Sequence, residues 1–209
     1  MVAALALFDP SPAAADVEIT VENGRVEVLL TDLTSTPEDV GQAFTDAGLD
    51  ARIEGLPAGP SNVGRFVQVR IEGGDLQPIE RIEEGKTAFM GFSLPEDWNG
   101  TLVISLGRPT NNAEPYAVAS DAFATGEPLH CGDVLARTIG ESVDRLDGLS
   151  VRVQPLNEGS LVPPIPLDAL DLAKYGAWYV ISGSALSQDE VLLQLQIDLP
   201  PATLGEAEC

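Results

Sequence analysis

The stretch 36-TPEDVGQAFTDAGLDARIEGLP-57 decides how this chain is read. Thr36 can cap a helix with its hydroxyl, and Pro37 suits the first helical position. Asp39 supplies the acidic third position of a capping box. Val40, Ala43, Phe44 and Ala47 recur at helical spacing and form one apolar face. Gly48 is the stop, because glycine tolerates the left-handed backbone that ends helices. Residues 49–56 then alternate as a strand does. The unit is a helix that stops at glycine and turns directly into a strand.

A second stretch, 138-TIGESVDRLDGLSVRVQPL-156, has the same plan. Thr138 and Glu141 form a full capping box. Ile139, Val143 and Leu146 face one way, Gly148 ends the helix, and 149–153 alternate. The helix is shorter, but the order of signals is unchanged. A helix with one apolar face needs a sheet to cover, so two similar α+β halves are expected.

The rest of the chain supplies the sheets. Asn23-Gly24 between the alternating runs 17–21 and 26–30 is a strong hairpin signal. Residues 66–71 and 177–182 read as strands, and 191–199 as the closing strand. Residues 87–94 and 101–106 flank Asn99-Gly100 and are expected to pair as a second hairpin. Residues 167–175 read as a helix. The Pro-, Asn- and Gly-containing stretch 108–129 lacks a period and reads as a linker. The expected fold is α+β, mostly antiparallel sheet with short helices packed on one face. The halves are 16–107 and 130–209.

Charge limits the partners. Eleven Lys and Arg stand against 33 Asp and Glu, a formal net charge of -22. Nucleic-acid binders need clustered basic residues to neutralise phosphate, and here Lys and Arg are scattered. Nucleic acid is therefore excluded as a direct partner, and an anionic membrane surface is disfavoured for the same reason. Hydrophobic residues make up 44% of the chain, enough for a real core.

Residues 1–15 begin with the short apolar run MVAALALF and end in Ala13-Ala14-Ala15. Small residues there resemble a signal-peptide cleavage site, although no basic region precedes the run. Residues 1–15 are read as the remnant of a signal or anchor, which makes the protein extracytoplasmic. Cys131 and Cys209 are the only cysteines, and in that compartment they are candidates for a disulfide. The loop it would close is long, worth about 4 kcal/mol on the chain-entropy model.

Catalytic chemistry is thinly represented. His130 adjoins Cys131, but a nucleophile pair needs facing side chains and a third orienting group. Three Cys and His residues are too few for a structural zinc site. Acidic pairs such as Glu80/Glu83/Glu84 and Glu96/Asp97 could in principle serve glycoside hydrolysis. Trp98 and Trp178 are few for a sugar cleft. Asp168 and Asp171 lack the spacing of a calcium loop. Ser182-Gly183-Ser184 lacks the flanks of a nucleophile elbow and reads as a turn. No catalytic residue, metal ligand or cofactor site is assigned, and no cofactor is expected.

The segment 134–154 resembles the PASTA module, a small extracellular helix-on-sheet repeat. Val134-Leu135, Thr138, Glu141, Leu146, Gly148-Leu149 and Val151/Val153 carry the likeness. The proline usual before the first apolar pair and the glycine before the helix are missing. The stretches DAGLDARIEGLPAGPSNVG and HCGDVLARTIGESVDRLDGLSVRVQ resemble membrane-anchored envelope proteins of high-GC Gram-positive bacteria. These resemblances imply a non-catalytic cell-envelope module binding peptidoglycan or an envelope protein. The competing expectations are an acidic secreted hydrolase using a carboxylate pair and a salt-adapted cytoplasmic structural protein.

Overall fold

A computed structural model describes residues 17–74, 79–82, 88–111, 114–157 and 160–198. Residues 1–15 and Cys209, on which two of the expectations fall, lie outside them.

The chain opens with β1 (Val17–Glu22) and β2 (Arg25–Leu30), paired antiparallel from Val17↔Leu30 to Glu22↔Arg25. Asn23 and Gly24 both have positive φ, 53° and 75°, as a type I′ turn requires. Helix α1 (Pro37–Asp46) follows, with Thr36 and Asp39 closing the capping box reciprocally. Gly48 is left-handed at φ 71°, and the chain runs into β3 (Ala51–Ala58). A single 3-10 turn at Pro60–Asn62 leads to β4 (Phe66–Glu72). Then come β5 (Glu80–Ile82), β6 (Gly91–Pro95) and β7 (Thr101–Pro109).

β6 and β7 flank the Asn99-Gly100 turn but do not pair with each other. β6 lies between β2 and β5 in the sheet β1-β2-β6-β5, and β7 lies between β3 and β4 in the sheet β3-β7-β4. The physical reason is burial. Residues 102–107 of β7 are buried without alternation, as befits a central strand covered on both faces. The turn passes the chain from one sheet to the other. Between the sheets Phe92 packs against Phe44 and Phe66, ring centroids 6.4 and 5.5 Å apart. Full burial of each such ring contributes about 1.5–3 kcal/mol.

The second half contains β8 (Ser120–Asp121), α2 (Ile139–Ser142) and a 3-10 turn at Val143–Leu146. β9 (Ser150–Asn157), β10 (Ser160–Leu161) and β11 (Ile165–Pro166) follow. The expected helix over 167–175 is split into a 3-10 turn at Leu167–Ala169 and α3 (Leu172–Tyr175). β12 (Tyr179–Ala185) and β13 (Glu190–Gln196) close the fold. The strand order is β10-β9-β13-β12-β8, with β11 also on β9. The fold is α+β with mostly antiparallel sheets, as expected.

The two helix–strand stretches belong to one unit present twice. In each, the strand after the helix pairs parallel with the last strand, which sits in the middle, and the remaining strand pairs antiparallel on the far side. Counting from Gly48 and Gly148 aligns Ile53 with Val153. Ile53 pairs with Ile104 and Val153 with Leu193. Ile104 faces Val69, and Leu193 faces Gly183. One step on, both antiparallel ladders slip at the same place, between Phe66 and Gln68 and between Val180 and Ser182. A shared bulge position is a specific feature, since a bulge re-aims every residue beyond it.

The stretch 108–129 holds more than a connection. It carries β8, and Tyr116, Ala122 and Leu129 join the second core with Val153, Trp178 and Leu193. Ala117 N–H donates to Pro57 C=O at 2.8 Å, tying the stretch to the end of β3.

Candidate functional site

The residues singled out in the sequence are dispersed. His130 Nδ1 lies 3.4 Å from Phe123 O. Cys131 is exposed and left-handed at φ 58°. Glu80 pairs with Arg25 at 3.2 Å, while Glu83 and Glu84 lie outside the described residues. Glu96 and Asp97 line a shallow, open depression with Gly24, not a cleft. Asp171 caps α3 by accepting from Ala173 N–H at 3.0 Å. Ser182-Gly183-Ser184 is inside β12 rather than in a turn, and Ser182 Oγ donates to Gln194 Oε1 at 2.6 Å. Trp98 packs on the first core and Trp178 belongs to the second. Among the described residues no group of three Cys, His, Asp or Glu could hold a metal ion.

Two places stand out instead. The first is the junction of the halves. Glu127 is 4% exposed, the one buried acid among the described residues. Its Oε1 accepts both the backbone N–H and the hydroxyl of Ser61, at 3.0 and 2.6 Å. Glu127 Oε2, Ser120 Oγ and Tyr116 Oη are buried without a hydrogen-bond partner among the described residues. Burial, and after it the charges of Glu127 and Asp189, push the Tyr116 phenol up to about 12. A side chain at Gly59 would meet Glu127 Oε1 and Ser120 Oγ at 2.5 Å, so only glycine lets this backbone approach. One carboxylate held by two donors is a clasp. General acid–base work on a glycosidic bond needs two facing acids.

The second place is the outer edge of β3. Leu102 N–H donates to Asp50 C=O at 2.9 Å. In a parallel ladder alternate residues of a strand bond to the same neighbour. Arg52 and Glu54 therefore face β7, and Ala51, Ile53 and Gly55 turn their N–H and C=O outward. In the second copy Ser150 N–H donates to Asp189 C=O at 2.7 Å, which turns Val151 and Val153 outward in the same way. There the edge is covered: β11 pairs antiparallel with β9 at Ile165↔Val153 and Pro166↔Arg152. Gln154 Nε2 adds a bond to Val162 O at 3.2 Å. Ile165 and Leu167 pack on the core below, and Val153 is fully buried.

At the same place in the first copy, residues 51–56 have no strand partner on their outer side among the described residues. Ile53 is only partly buried. The bridge Ala58↔Val118 touches only the far end of the strand. Arg52 is engaged on the sheet surface, with Glu54 at 3.0 Å and Glu72 at 3.4 Å. Neither place was read from the sequence. Glu127 sat in a stretch without periodicity, and the open edge emerges only when two registers are compared.

Comparison with protein-family models, with curated proteins and with solved structures returned no match.

Proposed function

We propose that this protein is a non-catalytic extracytoplasmic binding module of a cell envelope, and that its partner is a protein rather than a wall polymer. One observation carries the reading: the strand edge that the second copy covers with its own chain has no strand partner in the first among the described residues. An open edge of N–H and C=O groups is a template for an extended segment. The net charge of -22 repels anionic wall polymers and attracts basic proteins. Both tryptophans are committed to packing, which leaves neither as a sugar platform. The resemblance of 134–154 to the PASTA module, and of the wider stretches to envelope proteins, supports the compartment. A Cys131–Cys209 disulfide belongs to the same reading.

The test places a photo-crosslinking residue at Arg52, on exposed β3, and at Asp144 as a remote control. Irradiation of the protein in an envelope extract from its source cells should yield a crosslinked protein from position 52 and not from 144. A parallel arm measures co-sedimentation with protein-free sacculi at low and high salt. Retention that survives high salt, with no protein crosslinked at position 52, would replace the protein partner by the wall itself. Intact mass before and after reduction addresses the compartment: the disulfide predicts a gain of two hydrogens on reduction.

A further inference from the structure

We infer that the occupant of the β3 edge is a basic, extended segment of the partner, lying antiparallel to β3 and centred on Ile53; this rests on the binding-module reading above. The second copy supplies the template. There the covering segment is 162-VPPIP-166, three of whose five residues are proline. Proline holds a chain extended without asking for an N–H bond, so such a segment suits a short edge pairing. Its isoleucine drops onto the apolar side, over the residue that corresponds to Ile53. In the first copy Ile53 is partly uncovered at that position, leaving a place for an apolar side chain from outside.

The chemistry differs between the copies at one position that sets the occupant's charge. Gln154 donates its amide to the backbone carbonyl of the covering strand. Counting from the two glycines, its counterpart is Glu54, whose carboxylate only accepts. Glu54 already accepts from Arg52 Nε at 3.0 Å, and its remaining acceptor sites favour an arriving segment that brings a further donor. Lysine or arginine does so with a charge-assisted bond, and the charge of the whole chain draws such a segment in. A segment with an acidic residue there would face Glu54 directly.

The experiment uses the full chain labelled with nitrogen-15 and a synthetic peptide KVPPIPK, the covering sequence between lysines, with EVPPIPE as control. The expected result is saturable shifts centred on the amides of residues 51–55, weaker at high salt, and at least about tenfold tighter binding of the lysine peptide. Glu54→Lys should reverse that preference. Ile53→Pro removes an outward N–H while leaving the β7 ladder, which runs through Arg52 and Glu54, and should abolish the shifts. If that variant does not fold, Glu54→Lys alone decides. No shift at millimolar peptide, shifts centred elsewhere, or indifference of Glu54→Lys to peptide charge would overturn the inference. So would self-association in sedimentation that Ile53→Pro abolishes, since the occupant would then be a second copy. A protein crosslinked at position 52 together with failure of both peptides would leave the binding-module reading standing and remove only this occupant.

Discussion

Glu127 and Ser61 are separated by 66 residues and joined by two hydrogen bonds to a single carboxylate oxygen, at 3.0 and 2.6 Å. This pair fastens the loop after β3 to the stretch that leads into the second half. Ser61→Ala removes the hydroxyl donor and leaves a buried charge with one bond fewer. Hydrogen bonds to charged groups contribute about 1.5–3 kcal/mol, and urea denaturation should show a loss in that range. Gly59→Ala should cost more, because its Cβ would meet Glu127 Oε1 and Ser120 Oγ at 2.5 Å. Losses below about 0.5 kcal/mol for both, the scale of an ordinary surface change, would show that the clasp is not closed in solution.

The glycines give a second test, because equal backbone strain meets different surroundings. Gly64 and Gly148 are both left-handed, at φ 73° and 84°. Among the described residues a Cβ at Gly148 meets nothing within 4 Å, whereas one at Gly64 would stand 1.8 Å from Leu33 O. Gly148→Ala should therefore cost only the left-handed penalty, about 1–2 kcal/mol. Gly64→Ala must in addition displace the backbone between β2 and α1. Thermal melts should show a modest shift for the first and loss of the cooperative transition, or insoluble protein, for the second. Similar melts for both would mean that this packing gives way easily.

What was legible in the sequence was local. Asn23-Gly24, Thr36 with Asp39, and Thr138 with Glu141 specify their conformations through bonds to residues within a few positions, and the structure forms each one. Pairing across distance was not legible. Asn99-Gly100 marks a reversal but cannot say which strands will neighbour β6 and β7. The run Leu102–Leu106, apolar except for Ser105, held a hint, since a strand buried on both faces loses its alternation. Glu127 carried no hint, because its burial depends on Ser61 and Gly59, far away in the chain. The open edge of β3 depends on what fails to pair with it, and single residues do not encode that.

The two capping boxes offer a test of the repeat. Thr36 and Thr138 each accept from the N–H three residues on, and the third residue's carboxylate accepts in return. Thr36→Ala and Thr138→Ala should each cost about 1 kcal/mol. They lie in separate copies with separate cores, so the double variant should lose the sum, within about 0.5 kcal/mol. Guanidinium unfolding of the single and double variants checks this. A double variant no worse than either single one would mean that one helix is already unformed in the protein.

One ion pair makes a separable contribution to the pH dependence of stability. Arg108 grips Glu114 with two bonds, Nη2 to Oε1 at 2.8 Å and Nη1 to Oε2 at 2.9 Å. Asn111 N–H adds a third at 3.1 Å. The guanidinium first, and the amide after it, hold the Glu114 carboxyl down to about 2, against an ordinary value of 4.5. The folded value is depressed, so the folded state holds its proton less tightly than the unfolded chain does. The pair's contribution is therefore complete above pH 4.5 and drains away as pH falls toward 2. Glu114→Gln removes it at every pH. The gap in unfolding free energy between the parent and Glu114→Gln should be constant from pH 7 to pH 5. It should narrow below that and close near pH 2. A gap that stays constant down to pH 2 would mean that Glu114 titrates alike in folded and unfolded chains, and that the grip of Arg108 is not maintained in solution.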